Sequence, residues 1–176
     1  PPPRRRLPHL RADLRVTLVG GSFLKRSAED EKSYNTSLLI EPGGSIRAIY
    51  RKMHLFDVDL PGEVTVRESD ARVPGAEVVI VPTEVGTIGM SICYDLRFPE
   101  LFRRLAVAGA TIVTIPSAFT AYTGAAHWEP LLRARAIENQ VYVIAANQTG
   151  TSPHGFADYG NSMIVDPWGT VVTRAG

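Results

Sequence analysis

Short apolar runs alternate with helical patterns along this chain of 176 residues, and the alternation constrains its fold more than any other feature. The runs are too short for helices and rich in valine and isoleucine, which is typical of buried strands. Pro99 suits a helix start and Gly109 a helix end, and a second stretch carries apolar residues at helical spacing. The predicted strands are residues 16–23, 78–81, 87–92, 111–115 and 141–146, and the predicted helices are residues 99–108 and 127–139. Helices that return the chain to a sheet predict an α/β layered domain.

Two further stretches have the pattern of hairpins, in which a turn-forming cluster separates two apolar runs. The first covers residues 35–53 and turns at 42–44. The second covers residues 162–176 and turns at 167–169. Residues 54–76 show no clear periodicity, which predicts a long loop, and long loops inside compact domains are often functional.

The composition excludes several functional classes. Apolar residues make up 44% and charged residues 21% of the chain, so a globular domain is expected rather than disorder. Lysine and arginine are spread along the chain at a net charge of +1, which argues against a nucleic-acid partner. No apolar run approaches the length of a membrane span, so no membrane partner is expected. A single cysteine favours a reducing compartment, and a cytoplasmic location is expected.

The first fifteen residues differ from the rest of the chain. The segment PPPRRRLPHLRADLR is rich in proline and arginine, and its prolines argue against a helix. We expect a disordered leader at 1–15 and a domain at 16–176. Import into an organelle, directed by this arginine-rich segment, is the alternative to a cytoplasmic location.

The only cysteine, Cys93, lies where a predicted strand meets a predicted helix, in SICYDLRFPE. A lone cysteine is often a small buried hydrophobe. A strand-to-helix elbow, however, exposes a nucleophile beside free backbone N–H groups, and this geometry suits acyl transfer. The residues alone leave both interpretations open.

Three other titratable residues stand out, each with an ordinary alternative. Lys52 ends the strand SIRAIYRK, where a lysine is usually solvated. Glu68 lies in the predicted loop, where a surface acid is equally ordinary, and His127 lies at the predicted start of the second helix. No CxxC, HExxH, GxGxxG or P-loop pattern occurs, so neither a metal nor a cofactor is expected.

Four segments together resemble the nitrilase superfamily of carbon–nitrogen hydrolases. They are YRKMHLFD, PGAEVVIVPTEVGTIGMSICYDLRFPE, PSAFTAYTGAAHWEPLLRARAIENQVYVIAANQTG and YGNSMIVDPWGTVV, and the resemblance runs from about residue 16 to residue 174. It implies an αββα sandwich and an amidase-type hydrolase whose site combines a glutamate, a lysine and a cysteine.

The resemblance assigns roles to particular residues of this chain. Cys93 matches the family nucleophile, Lys52 the family lysine, and Glu68 the second glutamate found between them in many members. Lys52 and the Tyr94 N–H are expected to hold the oxyanion of the tetrahedral intermediate. Cys93 is then expected to attack an amide carbon, release ammonia and form a thioester that water hydrolyses.

One part of the family pattern has no match in this chain. The catalytic glutamate of the family lies upstream of the lysine, and none of the acids before Lys52 has its setting. We therefore expect a partial domain, truncated at both ends, that hydrolyses amides poorly. A catalytically inactive fragment that acts through protein–protein contacts is the alternative.

The stretch CYDLRFPE resembles the Nit-type amidases within the family. These act on small amides that carry a carboxylate, related to deaminated glutathione or to omega-monoamides, and members commonly form homo-oligomers. Arg97 is expected to receive the carboxylate, although a structural pair with an acidic neighbour, Asp95 or Glu100, is equally open. The same resemblance places Phe119, Thr120 and His127 at the substrate pocket.

Overall fold

The structure is a computed structural model that describes residues 16–28, 31–62, 64–152 and 155–175. The predicted leader at 1–15 lies outside this range. No helix among the described residues is both long and apolar enough to cross a membrane.

The described residues form fourteen strands, two α-helices and two 3₁₀ turns. The strands are β1 (Leu18–Val19), β2 (Phe23–Arg26), β3 (Ser33–Ile40), β4 (Ile46–Arg51), β5 (Asp57–Leu60), β6 (Val64–Arg67), β7 (Ile80–Thr83), β8 (Gly86–Met90), β9 (Ile112–Thr114), β10 (Tyr142–Ala145), β11 (Thr149–Thr151), β12 (Ala157–Tyr159), β13 (Met163–Val165) and β14 (Val171–Arg174). The α-helices are α1 (Pro99–Val107) and α2 (Ala121–Asn139), and the 3₁₀ turns are Glu68–Asp70 and Cys93–Arg97.

A four-stranded antiparallel sheet is built around β3, which pairs with β1, β2 and β4. β3 and β4 form the hairpin predicted over 35–53, and Gly44 at its turn has a φ of 85°, a value that favours glycine. β4 ends at Arg51. The hairpin prediction is therefore confirmed, and it fixes where Lys52 leaves the sheet.

A six-stranded sheet has the order β14-β13-β10-β9-β8-β7. Its neighbours β8, β9 and β10 are parallel, and α1 and α2 connect them. Parallel neighbours need a crossover connection of this kind, because a tight turn can join only antiparallel strands. The carboxyl ends of β8 and β9 therefore meet at one edge of the sheet, where open α/β sheets usually bind ligands.

The helices cover one face of the six-stranded sheet, and the four-stranded sheet covers part of the other. Trp128 and Leu132 of α2 and Phe102 of α1 are completely buried against the six-stranded sheet. Burying an apolar side chain of this size contributes roughly 1.5–3 kcal/mol. The core between the two sheets consists of Leu39, Tyr50, Val81, Ile88, Met90 and Ile92. This layering agrees with the predicted α/β sandwich.

The prediction of one buried strand at 16–23 is wrong. The segment forms two short strands, β1 and β2, which pair with β3 out of register with each other. Gly20 and Gly21 separate them, and Gly21 has a φ of 66°. Val16 is 46% exposed. The glycine pair breaks the strand because it allows a backbone conformation that other residues avoid.

The prediction of a structureless loop over 54–76 is also wrong. β5 and β6 form an antiparallel hairpin within this segment, and its turn contains Pro61 and Gly62. Gly62 has a φ of 81°, in the left-handed region that favours glycine. The Pro-Gly pair was therefore the signal for a hairpin. The 3₁₀ turn that carries Glu68 follows β6 directly.

The second predicted helix, at 127–139, begins earlier than predicted, at Ala121. The Thr120 hydroxyl caps it by accepting a hydrogen bond from the Thr123 N–H at 3.3 Å. Gly124 does not break the helix, because it serves a close approach: a Cβ there would lie 2.5 Å from the Tyr159 side chain. His127 therefore lies inside the helix and not in its first turn.

The other predicted elements are present with small shifts. α1 begins at Pro99 and is followed by Gly109 at a φ of 102°, and the hairpin turning at 167–169 forms between β13 and β14. β7 begins at Ile80 rather than at residue 78. β10 is buried on one face only, since Tyr142 and Ile144 are 47% and 40% exposed. The prediction that 141–146 is fully buried is wrong for that face.

Candidate active site

Cys93 lies where β8 passes into the second 3₁₀ turn. Ile92 is still extended, whereas Cys93 has a φ of 48°, in the left-handed region that side chains rarely adopt. Holding a non-glycine residue there costs roughly 1–3 kcal/mol. The Cys93 N–H donates to the Pro116 carbonyl at 3.0 Å, which ties the strained residue to the segment after β9. The predicted strand-to-helix elbow is confirmed.

The backbone N–H of Tyr94 precedes the first N–H group that is hydrogen-bonded within the 3₁₀ turn. The first bond of the turn runs from the Asp95 N–H to the Ile92 carbonyl, at 3.1 Å. N–H groups at the start of a helical turn have no partner within that turn, and such groups can bind an anion. The Tyr94 ring packs edge-on against Phe56 and Phe98, with centroids 5.0 and 5.6 Å away. These contacts hold the residue in place.

Lys52 and Glu68 form a buried ion pair. The Lys52 Nζ donates to Glu68 Oε2 at 2.5 Å, and the two side chains are only 3% and 14% exposed. The Phe56 N–H donates to the same carboxylate oxygen at 2.7 Å. The ordinary interpretation of Lys52, a solvated strand end, is therefore wrong. Removing one partner of such a pair usually costs roughly 3–5 kcal/mol, because the other charge stays buried.

Lys52, Glu68 and Cys93 line a single cavity of about 540 Å³, as the sequence predicted. The polar side chains in its wall include Asn35, Arg67, Arg72, Ser117, Asn147 and Gln148. In the part of the chain that the structure describes, no three histidine, cysteine, aspartate or glutamate side chains are grouped as metal ligands are. The geometry therefore brings a thiol, an ammonium and a carboxylate to one place.

The charges around Cys93 act on its pKa in opposite directions. Burial of the thiol raises the pKa above its usual value, although the residue as a whole is half-buried. Lys52 and a hydrogen bond with the Ala118 backbone lower the pKa, while Glu68 and Asp95 raise it. Burial outweighs the cation, so the thiol is protonated at neutral pH and attack requires a base.

Arg97 lines a smaller cavity that shares Phe56, Cys93 and Ala118 with the larger cavity. Its guanidinium lies over the Phe119 ring at 5.3 Å and reaches His127 Nδ1 at 3.3 Å. Arginine has no acceptor, so His127 Nδ1 accepts this bond. Among the described residues, Arg97 forms no ion pair with either acidic neighbour, Asp95 or Glu100, so the structural alternative is not observed.

The other predicted pocket residues are divided between two positions. Phe119 and Thr120 line the smaller cavity directly, and Phe56 and Ala118 lie beside them. His127 is exposed and reaches the cavity only through Arg97. The structure thus brings the predicted substrate residues to one side of Cys93, with the ion pair on the other.

Sequence reasoning missed the cluster behind the elbow. Asp95 is completely buried and accepts hydrogen bonds from the Tyr50 hydroxyl at 2.7 Å and from His54 Nδ1 at 2.7 Å. It also accepts from the backbone N–H groups of His54 and Ile92. The sequence signal for this cluster was Asp95, which follows the only cysteine by two residues. Buried aspartates are rare unless they are paired, so an aspartate at this position indicates hydrogen-bond partners.

Comparisons with known proteins agree with this geometry. The chain is 53% identical over 163 residues to deaminated glutathione amidase of Mus musculus, covering 90% of this chain and 50% of the mouse protein. The crystal structure of the C. elegans NitFhit protein superimposes with a TM-score of 0.90 at 45% identity, covering 98% of this chain and 42% of that one. These values confirm the predicted nitrilase-type α/β sandwich.

A third similar structure is a mutant of the amidase from Nesterenkonia sp. AN1, at 28% identity and a TM-score of 0.85. It covers 98% of this chain and 62% of that chain, and it shows covalent addition of the acetamide moiety of fluoroacetamide at the active site cysteine of that amidase. The present chain spans about half the length of the curated relatives it matches.

The sequence profile of the family described as carbon-nitrogen hydrolase matches residues 4–176. This match extends over the elbow, the ion pair and the cavity they share. The chain belongs to the carbon–nitrogen hydrolase family.

Proposed function

We propose that this chain provides the nucleophile of an amidase that releases ammonia from a small, carboxylate-bearing amide. One observation carries the proposal: a strained cysteine faces a buried lysine–glutamate pair across one cavity. Backbone strain of this kind clusters at active sites, where it aims a side chain. The names of the mouse and Nesterenkonia relatives, both amidases, support the same chemistry.

The proposed reaction proceeds in two acyl transfers. The Cys93 thiolate attacks the amide carbon, the C–N bond breaks, and ammonia leaves with the proton that the thiol gave up. Water then adds to the thioester, which yields the carboxylic acid and regenerates the thiol. Each step passes through an oxyanion, for which the Lys52 ammonium and the Tyr94 N–H are the donors.

Glu68 is assigned the task of holding Lys52. Its Oε2 already accepts hydrogen bonds from Lys52 and Phe56, so this oxygen is occupied. Attack nevertheless requires a base, because burial keeps the Cys93 thiol protonated. We therefore expect slow turnover unless another group supplies this base.

Arg97 is assigned to the carboxylate of the substrate. It lies on the side of Cys93 away from the ion pair, and no acid neutralises it among the described residues. A guanidinium binds a carboxylate through two parallel hydrogen bonds. Phe119 and Thr120 shape the cavity in front of it, and His127 orients the guanidinium from behind. Deaminated glutathione and omega-monoamides both carry such a carboxylate.

A homo-oligomer in solution is part of the proposal. Tyr142 and Ile144 lie two positions apart on β10, hence on the same face of the strand, and are 47% and 40% exposed. Clustered apolar side chains at a surface usually mark a protein–protein contact. A second copy of this chain is the partner we expect.

Ammonia release tests the proposed activity. The purified chain is incubated with a carboxylate-bearing amide beside Cys93→Ala and a control, Tyr122→Phe, whose side chain is exposed on α2. We expect slow ammonia release from the wild type and the control and none from Cys93→Ala. Equal release from Cys93→Ala would contradict the assignment of the nucleophile.

A further inference from the structure

The Asp95 carboxylate joins the segment around Lys52, at the end of β4, to the elbow that carries Cys93. Its Oδ2 accepts from the Tyr50 hydroxyl at 2.7 Å and from the Ile92 N–H at 2.9 Å. Its Oδ1 accepts from the His54 N–H at 3.0 Å and from His54 Nδ1 at 2.7 Å. Tyr50 and His54 lie on either side of Lys52 in the chain, so the carboxylate holds both flanks of the lysine.

The direction of these hydrogen bonds is well defined. Burial, followed by the neighbouring Asp95 charge, raises the pKa of Tyr50 far above its usual value, so the hydroxyl stays protonated and donates. The His54 ring stacks on Phe98, with centroids 3.8 Å apart and an angle of 8°, which fixes the ring against the end of the 3₁₀ turn. Four donors satisfy the buried Asp95 charge, as a buried carboxylate requires.

Neither Asp95 nor its side-chain donors, Tyr50 and His54, line the cavities on either side of Cys93. They therefore have no access to a substrate in those cavities. What they contact is the backbone on both sides of the reacting groups. The cluster is placed to set the distance between the Lys52 ammonium and the Cys93 thiol.

We propose that Asp95 is a positioning residue, which keeps Lys52 in register with Cys93 through its bonds to Tyr50, His54 and the elbow. This inference rests on the proposed function, since it concerns the same thiol and ammonium. If these hydrogen bonds only stabilised the fold, their loss would change the melting temperature and nothing else. If they set the position of Lys52 relative to Cys93, their loss also changes how strongly the Lys52 ammonium lowers the thiol pKa.

The test uses the reactivity of Cys93, the only cysteine in the chain. Tyr50→Phe and His54→Phe each remove one side-chain donor to Asp95, and the second keeps an aromatic ring for stacking on Phe98. Both leave in place the charged groups that act on the thiol, which are Lys52, Glu68 and Asp95. The rate of alkylation by iodoacetamide is measured against pH, with the melting temperature measured in parallel.

We expect the midpoint of alkylation to move to higher pH, by about half a unit in each single variant and about one unit in the double variant. The reason is that Lys52, once its position is less restricted, lowers the thiol pKa less, so the increase caused by burial is less opposed. The control Tyr122→Phe, at an exposed position on α2, should keep the wild-type midpoint. Unchanged midpoints in folded Tyr50→Phe and His54→Phe would overturn the inference and leave a structural tie.

Asp95→Asn keeps the test decisive if the double variant does not fold. Removing the Asp95 charge alone lowers the midpoint, because that charge raises the thiol pKa. Loss of register raises it by weakening the effect of Lys52, which is larger than that of Asp95, so a rise supports positioning and a fall or no change overturns it. Alkylation needs no amide, so failure of the proposed amidase activity would appear in ammonia release and not in this measurement.

Discussion

At the scale of single residues, the state of Cys93 depends on a balance between burial and one cation. Burial raises the thiol pKa, and Lys52 lowers it from across the cavity. A pKa raised above the usual value keeps the thiol protonated at neutral pH, and the thiolate appears only as the pH rises through the raised value. Alkylation of Cys93 should therefore increase with pH above neutrality.

Lys52→Met should move this midpoint further up. The substitution removes the charge that favours the thiolate and leaves Glu68 unpaired, and both changes favour the protonated thiol. The measurement is the pH profile of iodoacetamide labelling. Arg104→Met, an exposed cation on α1, is the control and should leave the profile unchanged. An unchanged midpoint in Lys52→Met would show that the ammonium does not act on the thiol.

Arg97 should determine specificity rather than chemistry. Arg97→Gln should lower kcat/KM for a carboxylate-bearing amide by about tenfold to a hundredfold, which corresponds to the loss of a charge-assisted pair. Turnover of a neutral amide of the same length should change little. Arg103→Gln, at an exposed position on α1, serves as the control. Equal losses on both amides would contradict the carboxylate assignment.

At the scale of elements, the elbow was predictable and its surroundings were only partly so. An apolar run with Ile88, Met90 and Ile92 before Cys93 and a proline, Pro99, after it define the strand, the turn and the helix from local signals alone. The ion pair was not predictable in this way, because Glu68 reaches Lys52 through a hairpin that looked structureless. Tyr50, His54 and Asp95 meet only through tertiary contacts, which no local pattern encodes.

At the start of α2, a tertiary contact overrides the low helix propensity of glycine. Gly124 reads as a helix breaker, yet it lies within the helix because Tyr159 packs where a Cβ would be. By propensity, glycine to alanine inside a helix stabilises by roughly 0.5–1 kcal/mol. By packing, an added methyl in a filled site costs roughly 1–3 kcal/mol.

Gly124→Ala should therefore lower the free energy of unfolding, because the packing cost exceeds the propensity gain. Urea unfolding followed by circular dichroism measures the change. Gly43→Ala is the matched control, since a Cβ there meets nothing within 4 Å, and it should be neutral or slightly stabilising. A more stable Gly124→Ala would show that Tyr159 moves aside at no cost.

At the scale of the whole molecule, the open face of the six-stranded sheet should govern association. Ile144→Lys places a charge among the exposed apolar side chains of β10 and should shift the chain towards the monomer. Sedimentation velocity over a range of concentrations measures the shift. Val107→Lys, at an 81% exposed position on α1, is the control. A wild type that stays monomeric at every concentration would rule out the homo-oligomer.

The central claim is that Cys93 accepts an acyl group in the cavity it shares with Lys52. The direct measurement is the burst of p-nitrophenolate from the p-nitrophenyl ester of a short dicarboxylic acid, because this leaving group departs as an anion and needs no proton. We predict a burst of about one equivalent per chain, faster as the pH rises, as expected for an acyl-enzyme. It should be lost in Cys93→Ala. No burst from the wild type, or an equal burst from Cys93→Ala, would contradict the account.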